Sequence, residues 1–214
     1  VHTDDPDLRR QVDEIIASPD LHGFKFQPLV QRFDLNHPRL DYLYGACQES
    51  GFPLLIHAGD APQPSPHVGL AHFVELIDRF ERSAACLDSL VAPELLSELY
   101  MLRGLAHFVD GAMGPAHDDF GNATGIDPER SWDTRYPPDA QQEYLVGREA
   151  RDKAETATFG WDFPEDTDTR VLIDGRQIPG LTAVEISAGP HVMQIEHGDD
   201  SVVSALLRYE PGQG

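Results

Sequence analysis

The chain is 214 residues long, enough for one medium-sized domain or two small ones, and 40% of it is apolar, with 8% aromatic, enough to build a core. It carries 37 acids against 16 lysines and arginines, a formal charge of −21, which argues against phosphate-backbone partners such as nucleic acid. No run approaches the roughly 18 apolar residues of a membrane span, and the two cysteines, Cys47 and Cys86, make no disulfide framework.

The first element opens at Asp5-Pro6, an acid at the cap followed by proline at the first helical position. Leu8, Val12 and Ile15/Ile16 give it one apolar face. Gly23-Phe24-Lys25-Phe26-Gln27 predicts a short strand. His37-Pro38 starts a second helix with Leu40, Leu43 and Cys47 on one side, stopped by Gly51. Pro53-Leu54-Leu55-Ile56 is a continuous apolar strand ending at His57, and a third helix follows with Phe73, Leu76/Ile77 and Phe80 inward. Alternating helices and strands of this kind predict parallel pairing, with strands buried on both faces and functional residues at strand C-terminal ends. Lys25, Gln27 and His57 stand at such ends.

Residues 23–28, Phe33-Asp34, Pro38-Arg39-Leu40 and Pro53-Leu54-Leu55-Ile56-His57-Ala58-Gly59 together resemble the amidohydrolase-related family over residues 1–82. That resemblance implies a (β/α)8 barrel that hydrolyses or decarboxylates its substrate with metal-activated water. It implies His57 as a metal ligand, Asp162 in Gly160-Trp161-Asp162 as the late acidic ligand, and Lys25 and Gln27 facing the substrate. A divalent ion, Zn²⁺ first among them, suits imidazole and carboxylate donors. No His-x-His pair occurs in the chain, and Ala84-Ala85-Cys86-Leu87-Asp88-Ser89-Leu90 holds no histidine where the family places one.

Beyond Arg82 the pattern changes. Pro93 begins a helix with Leu95, Leu99, Leu102 and Ala106 at helical spacing; Gly111 breaks it, and a second helix carries Ala116, Phe120 and Ala123 as far as Pro128. The order Gly104, Gly111, Ala116, Phe120, Ala123, Pro128, with Tyr100 ahead of it, resembles one tetratricopeptide repeat. A further helix is predicted over 139–157, with Tyr144 and Leu145 inward. From Thr158 the period becomes two: Arg170-Val171-Leu172-Ile173 runs into Asp174-Gly175, a hairpin signal, and the alternation returns through Val184, Ile186, Val192 and Ile195 and in Val202–Tyr209. Val171-x-Ile173-Asp174-Gly175, Leu181-Thr182 and Ile186-x-x-Gly189-x-His191 resemble the PEGA-type β-module, which implies a structural role for His191.

The expected fold class is therefore mixed: a partial barrel-type α/β segment (1–82), a tetratricopeptide-like helical segment (83–157) and a small β-sandwich (158–214). Both cysteines sit in apolar helical patterns that predict buried thiols. A catalytic zinc takes three protein ligands and a water, and the sequence offers His57 and Asp162. The expectation that follows is a protein-interaction or envelope-associated module without catalysis, whose protein partner meets the helical hairpin and the β-module. The alternative is a metal-dependent hydrolase or decarboxylase. The first reading places the chain at a bacterial envelope, and the second places it in the cytoplasm. A metal belongs to the second reading only.

Overall fold

The computed structural model describes residues 1–57, 70–161, 169–179 and 183–210, and the chain divides into two compact units, Val1–Leu76 and Ile77–Gly214.

In the first unit, Leu8–Ile16 forms α1, Phe24–Phe26 β1, Pro28–Gln31 α2, Asp41–Ser50 α3 and Leu54–Ile56 β2, and α4 begins at Leu70 and runs to Ser83. A single 3-10 turn, Pro38–Leu40, leads into α3; the ring nitrogen Nδ1 of His37 accepts the amide hydrogen bond of Arg39 there at 3.2 Å. Gly51 ends α3 in the left-handed conformation, φ +66°, where a side chain is strained. β1 and β2 pair in parallel, with Phe24 opposite Leu54, Lys25 opposite Leu55 and Phe26 opposite Ile56. The pairing begins where the Phe24 amide donates to the Pro53 carbonyl at 2.9 Å. Gly23 permits this approach, since a Cβ there would lie 2.9 Å from that same oxygen.

Leu8 and Val12 of α1, Leu43 and Cys47 of α3, and Phe24 and Phe26 of β1 close one core with Phe33, Leu35 and Leu40. The rings of Phe26 and Phe33 meet edge to face at 5.0 Å. Period-two alternation puts Phe24 and Phe26 on this helix-covered side and Lys25 on the other. The expectation of strands buried on both faces is corrected here. Lys25 is exposed and Leu55 is 62% exposed, because α1 and α3 pack on the same side of a two-stranded sheet.

In the second unit α4 ends in a 3-10 turn, Ala84–Cys86, and is followed by α5 (Pro93–Val109), α6 (Met113–Ile126) and α7 (Ala140–Asp152). Gly111, at φ +78°, turns the chain between α5 and α6. Phe120 is fully buried, a gain of about 1.5–3 kcal/mol for such a side chain. It lies against Gly104, where a Cβ would come 2.7 Å from its ring. α6 and α7 cross at Gly121 and Gly147; a Cβ on Gly147 would stand 2.5 Å from the His117 carbonyl oxygen. Tyr144 faces inward, as expected, and its hydroxyl donates to the Arg130 carbonyl at 2.8 Å.

Three expectations are corrected in these helices. The buried side of α5 runs from Leu96 through Tyr100, Met101, Gly104 and Leu105 to Ala106; of the expected stripe Ala106 is buried, Leu99 and Leu102 are half-buried, and Leu95 is 48% exposed. The face is set by Gly104, which hydrophobic periodicity does not register. Leu145 points outward, because Gly147 and Tyr144 define the contact side of α7. Cys47 is buried but Cys86 is exposed, since it lies in the 3-10 turn rather than on an inward helical face.

α7 ends at Asp152, and β3 (Thr156–Gly160) begins where Thr156 and Thr158 alternate with Ala157 and Phe159. It pairs antiparallel with β6 (Ala183–Ser187). The second sheet has the order β5 (Arg176–Gln177), β4 (Thr169–Ile173), β7 (Gly189–His197), β8 (Val202–Tyr209), all antiparallel. Asp174 and Gly175 turn β4 into β5 with φ +52° and +76°, the pair of positive angles a two-residue hairpin of this hand requires. Val192 of β7 joins the helical core built around Tyr100, Met101 and Phe120.

The architecture is thus a mixed arrangement of helices and several sheets, and no closed barrel forms among the described residues. No helix of the described residues is long and apolar enough to cross a membrane.

Candidate functional site

Three of the four sequence-derived candidates lie in or directly after the parallel pair of the first unit. Lys25 and Leu55 are register partners on the open side of the sheet. Gln27 and His57 are the residues that directly follow β1 and β2. The His57 amide donates to the Phe26 carbonyl at 2.9 Å, which holds the two chain ends level. The Gln27 amide donates to Oε1 of Gln31 at 2.7 Å, which turns the chain into α2. His57 and Lys25 are exposed and Gln27 is half-buried. Asp162, the fourth candidate, lies outside the described residues.

Lys25 within β1 and Gln27 and His57 just after the two strands bring an amine, an amide and an imidazole to the parallel pair. Imidazole and carboxylate donors suit zinc in kind, but a catalytic zinc takes three protein ligands. Among the described residues no group of three or more His, Cys, Asp or Glu is placed to hold a metal ion. The described residues by themselves therefore hold no complete ligand set for the ion that the amidohydrolase resemblance implies, and Asp162 lies outside them.

His191 stands at the start of β7. It is buried, with Nδ1 2.7 Å from Oδ2 of Asp174 and Nε2 2.8 Å from the Ser187 carbonyl. Asp174 also accepts the Val192 amide at 2.8 Å, so the pair locks the β4–β5 turn onto the start of β7.

A second polar centre escaped the sequence reading. Arg103 of α5 donates from Nε and Nη2 to the two carboxylate oxygens of Asp119 at 2.9 and 2.6 Å, and from Nη1 to Asp78 and Glu81 at 2.7 Å each. Glu81 accepts in addition from Arg208 at 2.9 Å. Burial works against the charge on Arg103 and is outweighed by Asp119 and then Glu81, so its pKa stands above the ordinary arginine value. The available signal was Asp119 itself, an acid set on the inward stripe between Ala116 and Phe120. A buried carboxylate there requires a cation from the facing helix.

A parallel strand pair covered by helices on one side makes the first unit an α/β arrangement. The family model described as Amidohydrolase matches residues 1–172, and the chain belongs to that family. The match continues past residue 82, where the motif resemblance stops, through α5, α6 and α7 and into β4. No curated protein and no solved structure matches the chain.

Proposed function

We propose that this protein is a hydrolase of the amidohydrolase class whose substrate meets the open end of the β1–β2 sheet. The observation that carries the reading is the family match over residues 1–172. The location is suggested by the placing of Lys25, Gln27 and His57 in or directly after the paired strands, with the His57 amide bonded to the Phe26 carbonyl. In this reading Lys25 and Gln27 contact the substrate, Lys25 as a cation toward a substrate carboxylate and Gln27 as an amide donor or acceptor. His57 and Asp162 belong to a divalent-metal site, with zinc the first choice.

The test is metal content and turnover measured on the same preparations. Protein purified from zinc-supplemented medium is expected to carry stoichiometric metal and to hydrolyse members of a panel of amides and lactones. His57→Ala is expected to lose both while staying folded. A folded, metal-free wild type that turns over no member of the panel overturns the hydrolase reading.

That same outcome favours a second reading, an interaction module without catalysis. It rests on the sequence resemblance of residues 83–157 to a tetratricopeptide unit and of residues 158–214 to a PEGA-type module.

A further inference from the structure

Gln27 directly follows β1 and caps α2. Its φ and ψ are −126° and 79°, outside both the helical and the extended wells. Both of its backbone polar groups are held from α2. The carbonyl accepts the Val30 and Gln31 amides at 2.9 Å each, and the amide donates to Oε1 of Gln31 at 2.7 Å. A glutamine that reaches back to the amide of the capping residue does what the acid or amide of a capping box does, one residue further along.

Gln31 is itself fixed at two further points. Its Nε2 donates to the Val1 carbonyl at 3.3 Å, and its carbonyl lies 2.7 Å from Nε2 of His2. A carbonyl only accepts, so Nε2 of His2 carries the hydrogen and Nδ1 is left to accept the Asp4 amide, as it does at 3.1 Å. The next residue, Arg32, stands at φ +56°, in the left-handed region that a residue with a side chain rarely enters. Its amide donates to the Pro28 carbonyl at 2.7 Å, so α2 closes at once behind Gln31.

The segment that carries these contacts is anchored in turn. Thr3 is buried, and the His2 ring meets Phe33 edge to face at 5.9 Å. Arg39 donates from Nη1 to the Thr3 carbonyl at 2.6 Å and from Nη2 to the Asp5 carbonyl at 2.5 Å. Arg39 belongs to Pro38-Arg39-Leu40, a stretch that the proposed site leaves without a role. We infer that Gln31 is a positioning residue: it sets the backbone of Gln27 at the end of β1, and residues 1–5, pinned by Arg39, hold Gln31 in place. The inference rests on the reading of Gln27 as a substrate contact. A cap that only stabilises α2 leaves substrate binding as it is, whereas a residue that places a substrate contact acts on KM before kcat.

The experiment compares the full-length wild type with Gln31→Ala and with Gln31→Glu, which keeps an acceptor for the Gln27 amide. In the wild type, NMR is expected to show a coupling through the hydrogen bond, from the Gln27 amide nitrogen to the side-chain carbonyl carbon of Gln31. Gln31→Ala is expected to speed hydrogen exchange at the Gln27 amide about tenfold relative to the Phe24 amide, which bonds to Pro53 instead. With a hydrolysed member of the panel, the same variant is expected to raise KM about threefold or more at a nearly constant kcat. Gln31→Glu is expected to restore both. Absence of the coupling, equal acceleration at Phe24, an unchanged KM or a fall in kcat at constant KM overturns the inference. Should no panel member be hydrolysed, the hydrolase reading fails by itself, and the coupling and the exchange still decide whether Gln31 sets Gln27. Should Gln31→Ala fail to fold, the wild-type coupling decides.

Discussion

Gln194 illustrates how a single side chain replaces an element of regular structure. It is fully buried on β7. Its Oε1 accepts the Val91 amide at 2.9 Å, and its Nε2 donates to the Ser89 carbonyl at 2.9 Å and to Ser204 Oγ at 3.0 Å. Ser204 Oγ passes the chain on to the Leu87 carbonyl at 2.8 Å. Residues 87–91 thus satisfy backbone groups through side chains of β7 and β8 rather than through a strand ladder. Gln194→Leu keeps the size and removes every partner at once. Buried groups left unpaired cost about 1–3 kcal/mol each, so this variant is expected to lose about that much or more in equilibrium urea unfolding. An unchanged midpoint would mean that water replaces the amide without loss.

The helices of the second unit approach as closely as they do because glycine stands at the crossings, Gly104 against Phe120 and Gly121 against Gly147. Phe120 has no exposed surface and no free direction in which to move. A methyl group at residue 104 therefore forces either the ring or the helix axis to shift. Gly104→Ala would be stabilising on an exposed helix, by about 1 kcal/mol of propensity. Here it is expected to destabilise by about 1–3 kcal/mol through overpacking, read as a lower thermal midpoint. Stabilisation by this variant would show that α5 and α6 are not in contact through Gly104.

The same crossings explain what the sequence made legible. Helices and strands announced by proline, glycine and alternation stood out: the stops at Gly51 and Gly111, the Asp174-Gly175 hairpin and the paired strands around Lys25 and Leu55. The facing direction of α5 did not, because the residue that fixes it carries no side chain. Of the candidate site, the placing of Lys25, Gln27 and His57 in or just after two strands was legible, because the strands themselves were. Arg103 and Asp119 come together across a turn from positions 16 residues apart, and no local motif connects them.

At the scale of the molecule, each unit closes around its own apolar core, and the two cores differ in how they are built. The first rests on two strands of three residues each with one face open at Leu55. A two-stranded sheet contributes little stability by itself, so this unit depends on α1 and α3 packed over Phe24 and Phe26. The second joins three helices to Val192 of a four-stranded sheet and adds the buried contacts of Arg103 and Gln194. Unfolding is then expected in two steps, with the first unit opening at the lower free energy. Native-state hydrogen exchange tests this directly. The amides of Phe24 and His57, bonded across the parallel pair, are expected to exchange through a smaller opening than those of Leu105, Phe120 and Val192. Their denaturant dependence is also expected to be shallower, in proportion to the smaller surface that opening exposes. One common free energy and slope for all five amides would make the chain a single cooperative unit. Faster exchange at Phe120 than at Phe24 would reverse the order of stability argued from the two cores.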